Sequence, residues 1–207
     1  MISTAIRNLI FDLGGVIIDL DPGNLIRQMS LLVGNQSKEF QHEVMQKKEF
    51  QDYETGALSD TEFRDFIRSL SKNTLSDAEI DEAWNGILLD IPKVRLDLLT
   101  QLKENYKIFL LSNTNNIHLQ KVITKLNMLG YPDFTPFFHK QYYSHVLKER
   151  KPGKTIYQIV LEDSSIMPEE TLFLDDSLEN LKGAEEVGIQ TFHVKHPDLI
   201  LELFDAK

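Results

Sequence analysis

The chain is predicted to fold as an α/β protein, a doubly wound parallel sheet with an α-helical block inserted after its first strand. Three observations carry this. Beyond residue 92, apolar runs of strand length alternate with segments of helical period, the pattern of βαβ units and a parallel sheet. Residues 21–90 read as helix with no convincing strand. Two apolar runs, Leu9-Ile10-Phe11-Asp12 and Leu172-Phe173-Leu174-Asp175-Asp176, end in carboxylates, at the strand ends where open α/β sheets bind ligands.

Leu9 to Phe11 is the first strand, and it delivers Asp12 to a loop with the glycine pair Gly14-Gly15. The period then changes, with Leu25, Ile26, Met29, Leu32 and Val33 at helical spacing. Ser59-Asp60-Thr61-Glu62 and Ser76-Asp77-Ala78-Glu79 are capping-box sequences that open two more helices. Their apolar faces are Phe63, Phe66, Ile67 and Leu70, then Ile80, Ala83, Trp84 and Ile87. Pro92 is placed in the first turn of another helix, with Val94, Leu98, Leu99 and Leu102 facing inward. Strands follow at 107–112, 141–145, 171–176 and 189–194, with helices over about 116–126, over about 154–161 and before Gly188. The expected organisation is a core of residues 1–20 and 91–207, and a helical cap of residues 21–90 lying as a lid over the carboxyl edge of the sheet.

The 207 residues, 42% of them hydrophobic, can bury one sizeable core with a small accessory domain. The chain has no cysteine, which excludes disulfides and thiolate metal sites. Met1 to Arg7 lacks the apolar stretch of a signal peptide, and no apolar run approaches membrane-spanning length. A cytoplasmic protein without a membrane partner is expected. A net charge of -10 argues against nucleic acid as a partner. It also means that an anionic substrate must be drawn by a local cation against the field of the whole protein.

Four segments carry chemistry. Asp12 is either an attacking carboxylate, able to split one displacement into two easier ones, or a turn residue. Ser112-Asn113-Thr114-Asn115 puts a hydroxyl and amides where a helix begins, which suits phosphate oxygens and suits an ordinary N-cap equally. Lys151-Pro152 holds a lysine just ahead of a helix, where it could balance a nucleophile and phosphoryl oxygens together. Asp175 and Asp176 repel each other unless a cation sits between them, and a hard ion such as Mg2+ prefers oxygen ligands. Asn180, one helical turn on, can orient a carboxylate there. The other reading of that pair is an acidic helix N-terminus.

In this order, and read as lying at strand ends, these segments resemble the haloacid dehalogenase superfamily, and the resemblance covers the whole chain. Asp12-Leu13-Gly14-Gly15-Val16, Leu111 to Asn115 and Asp175-Asp176 are similar to the helical-cap sugar-1-phosphate phosphatases of the α-glucose-1-phosphatase type. The resemblance implies a phosphatase of small phosphorylated metabolites in which Asp12 is nucleophile and metal ligand. Ser112 and Asn113 would hold the phosphoryl group, and Lys151 would balance charge. Asp176 and the Gly14 carbonyl would complete a Mg2+ site, with Asp175 and Asn180 in support.

Gly14 departs from the family pattern, which places an acid/base aspartate two residues after the nucleophile. Losing such a group typically costs on the order of 10²–10⁴-fold in rate. Glu54 in Tyr53-Glu54-Thr55-Gly56 is the candidate replacement. The other way out is a leaving group acidic enough to depart unaided, as the anomeric oxygen of a sugar-1-phosphate is. Two alternatives stand beside the phosphatase: a phosphate-binding regulator without turnover, favoured by Gly14, and a 2-haloacid dehalogenase, disfavoured by Asp175-Asp176. His118 and His145 lack partners at metal-ligand spacing and are expected to be structural or solvated.

Overall fold

The computed structural model describes residues 3–35, 37 and 47–205. Met1 and Ile2 of the N-terminal reading, and residues 36 and 38–46 of the expected helical block, lie outside the described residues. Five strands form one sheet: β1 (Asn8–Phe11), β2 (Lys107–Ser112), β3 (Lys140–Tyr143), β4 (Thr171–Asp175) and β5 (Gln190–His193). Their order is β3-β2-β1-β4-β5 and every pair is parallel. The doubly wound α/β fold read from the alternation is therefore the fold observed.

β1 is the central strand, buried along its whole length. Its neighbours β2 and β4 both come later in the chain, so the strand order reverses here, and the loops beyond the carboxyl ends part to leave a crevice. Phe11 pairs with Leu110 on one side and Leu174 on the other. The register therefore brings Asp12, the end of β2 and the end of β4 to one edge.

Among the described residues four helices, α1 (Pro22–Val33), α2 (Lys48–Glu54), α3 (Asp60–Ser69) and α4 (Asp77–Trp84), follow β1. Ser59 and Ser76 both form the reciprocal capping boxes read from their sequences, with Glu62 and Glu79. The helices share an apolar cluster that includes Leu25, Phe50, Tyr53, Phe63, Ile67, Ile80 and Trp84. The remaining helices are α5 (Lys93–Leu102), α6 (Asn116–Met128), α7 (Ser144–Leu147), α8 (Lys154–Ser164), α9 (Leu178–Glu185) and α10 (Leu199–Asp205). Because side chains alternate along a strand, Leu9 and Phe11 pack on one face of the sheet and Ile10 on the other. Ile117 of α6 packs into the apolar cluster of the helical block.

The chain enters and leaves that block through two paired segments. Leu20 and Leu88 form an antiparallel bridge, and Leu89 N donates to Asp19 O at 3.0 Å. Arg95, only 3% exposed, clamps this junction. Its guanidinium donates to Ile17 O (3.3 Å), Asp19 Oδ1 (2.7 Å) and Asp198 Oδ1 (2.8 Å).

Arg95 also explains where the reading of α5 fails. Pro92 is the N-cap residue rather than a residue of the first turn, and Val94 is 51% exposed while Arg95 and Leu96 turn inward. An arginine with two carboxylate partners occupies the buried position that hydrophobicity assigned to valine. The strand expected over 141–145 runs from Lys140 to Tyr143, because Ser144 and His145 turn into α7 to bond backbone elsewhere. Among the described residues no helix is long and apolar enough to cross a membrane.

Candidate active site

Asp12, Ser112 and Asp175 sit at or just beyond the ends of the strands that place them. Asp12 is 8% exposed, and its backbone N–H donates to Leu174 O at 2.9 Å, which carries the ladder one step past β1. Ser112 is the last residue of β2 and Asp175 the last of β4. Lys151 is the exception to the strand-end reading. It lies in the loop between α7 and α8, and its side chain reaches across the sheet edge.

The Lys151 ammonium is buried and uses three donors: Leu111 O at 3.0 Å, Asp175 Oδ2 at 2.7 Å and Asp12 Oδ1 at 2.8 Å. Oxygens from β2, β4 and the residue after β1 thus converge on one nitrogen, which saturates it. Asp175, fully buried, is also held from below. Ser177 N donates to Oδ1 at 2.8 Å, and Asn180 Nδ2 lies 3.1 Å from both oxygens. Asn180 therefore does orient a carboxylate, the one that holds Lys151.

Negative charge exceeds positive here. Carboxylate oxygens of Asp12, Asp175 and Asp176 all lie within 4.8 Å of one another, with one ammonium among them. Burial pushes the Asp12 carboxyl up to about 7; contact with Lys151 opposes this and Asp175 adds to it. Burial and Asp175 likewise raise Asp176. Burial alone would lower Lys151, yet Asp12 and Asp175 carry it above the ordinary lysine value. Carboxyls raised by burial beside a cation, at a crevice, mark a site built for chemistry. A divalent cation fits this set: the donors are all oxygen, and the ion would relieve a charge excess that Lys151 leaves.

Two glycines shape the loop after Asp12. Gly15 has φ +68°, and a Cβ there would collide with the Asp176 carboxylate, so only glycine fits on both counts. A Cβ on Gly14 would meet Leu20 Cδ1 at 2.8 Å, the flexible end of a side chain. Leucine thus lies against the place from which the family's second aspartate would project.

The segment after β2 divides its work. Asn115 is the N-cap of α6, accepting from His118 N at 3.0 Å and from Trp84 Nε1 at 3.3 Å. The capping reading therefore belongs to Asn115 and not to Ser112. The Asn113 carboxamide, expected at the phosphoryl group, bonds the Lys151 backbone at both ends: Nδ2 to Lys151 O and Lys151 N to Oδ1, each 2.9 Å.

Several contacts escaped sequence reasoning. The buried Ser144 hydroxyl accepts from Thr114 N at 2.9 Å and lies 2.6 Å from Glu54 O. Tyr53 OH donates to Asp60 at 2.7 Å and accepts from Ile117 N at 3.3 Å. The Glu54 carboxylate is half-buried and paired: it meets Arg150, the residue before Lys151, at 2.9 Å. His118 stacks on Trp84 and bonds Asn85 Oδ1, and burial lowers it to about 3. The His145 ring lies 3.1 Å from Thr114 O. Apart from Tyr53 and Asp60, which are seven residues apart, these pairs lie 30 to 96 residues apart, and no local pattern announces them.

The family model for haloacid dehalogenase-like hydrolases matches residues 6–188. The chain is similar to the D-ribitol-5-phosphate phosphatase of Bacteroides thetaiotaomicron, with 32% identity over 188 residues, covering 90% of this chain and 91% of that one. It is similar to a haloacid dehalogenase family enzyme from that organism, solved with magnesium and inorganic phosphate. There the TM-score is 0.81 at 39% identity, over 91% of this chain and 93% of the other. A predicted hydrolase of this kind from Porphyromonas gingivalis superposes with TM-score 0.87 at 30% identity, over 99% of this chain and 100% of the other. Fold, sheet-edge carboxylates and family model agree: the chain belongs to the haloacid dehalogenase-like hydrolases, whose phosphatases cleave phosphate monoesters with Mg2+.

Proposed function

We propose that this protein is a Mg2+-dependent phosphatase of phosphorylated sugars and sugar alcohols, working through an aspartyl-phosphate on Asp12. The observation that carries the reading is the Lys151 ammonium held by Asp12 and Asp175 beside the Asp176 carboxylate. In this reading residues 1–20 and 91–207 are the core and residues 21–90 its cap. Asp12, Asp176 and the Gly14 carbonyl hold the ion, while Asp175 and Asn180 keep Lys151 and the carboxylates in place. Bound Mg2+ supplies positive charge to the phosphoryl oxygens.

Asp12 attacks phosphorus, forming an Oδ–P bond as the ester O–P bond breaks. Ser112 and the Asn113 backbone N–H hold the phosphoryl oxygens, while Lys151 offsets charge on Asp12. Water then cleaves the acyl phosphate, releasing phosphate and restoring the carboxylate.

The leaving alcohol must take up a proton, and Gly14 supplies none. Two finer readings follow. A sugar-1-phosphate, with its more acidic anomeric oxygen, suits a site without an acid. A terminal 5-phosphate is supported by the similarity to the ribitol-5-phosphate enzyme, and would need a proton from elsewhere, with Glu54 as the candidate. A non-catalytic phosphate binder is the reading that Gly14 favours in another class.

One assay separates them: turnover of ribitol-5-phosphate, glucose-1-phosphate and glucose-6-phosphate with and without Mg2+. Mg2+-dependent release from any ester supports the phosphatase, and binding of phosphate without release from any ester overturns it. Preference for the 1-phosphate supports departure unaided. Comparable rates on all three turn attention to Glu54, and Glu54→Gln should then slow every substrate alike.

A further inference from the structure

We infer that Asn113 is a positioning residue that sets the Lys151 ammonium in place, rather than a ligand of the phosphoryl group. This rests on the phosphatase reading of the same site. Lysine carries its charge on a flexible four-carbon stem, yet Lys151 Nζ must meet oxygens from three separate elements within 3.0 Å. A strand would fix such a backbone through its ladder, but Lys151 lies in a loop between two helices. The Asn113 carboxamide takes the place of the missing ladder partner. It accepts the Lys151 N–H and donates to the Lys151 carbonyl, both at 2.9 Å, as a neighbouring strand would.

Asparagine is the side chain that suits this task. It carries an NH2 donor group and a carbonyl acceptor side by side. Aspartate has only acceptors when ionised, and glutamine has the same groups one methylene further out. Asn113 directly follows Ser112, the last residue of β2. The grip is therefore referred to the same strand whose Leu111 carbonyl receives the ammonium. A residue whose carboxamide is engaged at both ends in this way acts on catalysis through the lysine.

The test is a mutant cycle on the full chain with Mg2+, using Asn113→Ala, Lys151→Met and the double variant. Thermal midpoints are recorded alongside kcat, KM and the Lys151 ammonium resonance by nitrogen-15 NMR. A buried ammonium with three hydrogen bonds should give a distinct resonance. Asn113→Ala should lower kcat by about 10²-fold, the scale of a small misplacement near the chemistry, with KM changed less than two-fold. The Lys151 resonance should shift or broaden. In the Lys151→Met background the same change should cost less than two-fold further.

A raised KM with kcat retained would assign the carboxamide to substrate and overturn the inference. So would losses that multiply in the double variant, or an unchanged ammonium resonance. If Asn113→Ala does not fold, the isosteric Asn113→Asp serves. It keeps the acceptor but sets a carboxylate oxygen against Lys151 O, so the same loss of kcat and the same change in resonance are expected. If the native protein turns over no phosphate ester, the phosphatase reading falls, and the resonance still decides the positioning role.

Discussion

Two buried cations organise this molecule, and they behave in opposite ways. Arg95 and Lys151 are 3% and 1% exposed, and each holds two carboxylates. The partners of Arg95, Asp19 and Asp198, keep 36% and 67% of their side-chain surface in water. The partners of Lys151 keep 11% and none. Solvent therefore shares the charge at Arg95, where a planar guanidinium with fixed donors fastens the junction between helical block and sheet. At Lys151 little solvent shares it, a third carboxylate stands close by, and Asp12 is driven up to about 7. Similar ion pairing thus makes a joint in one place and a reactive centre in the other, and the difference lies in how far the anions are buried.

Three experiments test this contrast, and the largest effect is expected at Asp12. Asp12→Asn should abolish turnover while the far-ultraviolet circular dichroism of the native fold is kept, since the amide matches the carboxylate in shape but is a poor nucleophile. Activity above a few per cent of native would mean that water attacks directly and Asp12 serves only the metal.

Next in size is Arg95→Met, which should act on stability. It removes charge-assisted bonds to Asp19 and Asp198, each of the kind worth about 1.5–3 kcal/mol. Because both carboxylates can return to water, a total loss of about 2–3 kcal/mol is expected in urea unfolding, with kcat for the folded enzyme within two-fold of native. A collapse of kcat at full stability would show that the two cations do not divide their labour as described.

The smallest effect is a slope with pH. The folded-state pKa of Asp12, about 7, lies above its ordinary value. Its contribution to stability is therefore full below about pH 4 and lost as pH rises through 7. In chelator, the melting temperature of Asp12→Asn relative to native should rise between pH 5 and pH 8. The stabilisation conferred by added Mg2+ should grow over the same interval, because the ion competes with the proton. A difference between the two proteins that is flat across that range would mean that Lys151 alone neutralises Asp12.

The amino-acid sequence by itself determined the α/β architecture and the position of most of the chemistry. Strand-length apolar runs can be buried only by stacking into a parallel sheet when helices separate them, and carboxylates at the ends of such runs have to emerge at its carboxyl edge. Ser59 and Ser76 each announce a helix within four residues, since a capping box is a local bond pattern.

Only the tertiary structure decided what depends on partners far along the chain. The side of α5 that faces inward was one such matter, because Arg95 is buried by Asp19 and Asp198. The grip of Asn113 on Lys151 spans 38 residues, and the attachment of Glu54 to Arg150 spans 96. The raised carboxyl of Asp12 likewise comes from burial and from neighbours on other elements. Hydrophobic period and capping are short-range and repeat along the chain. A hydrogen bond or ion pair between distant loops exists only once the sheet has brought them together, so it leaves no period to read.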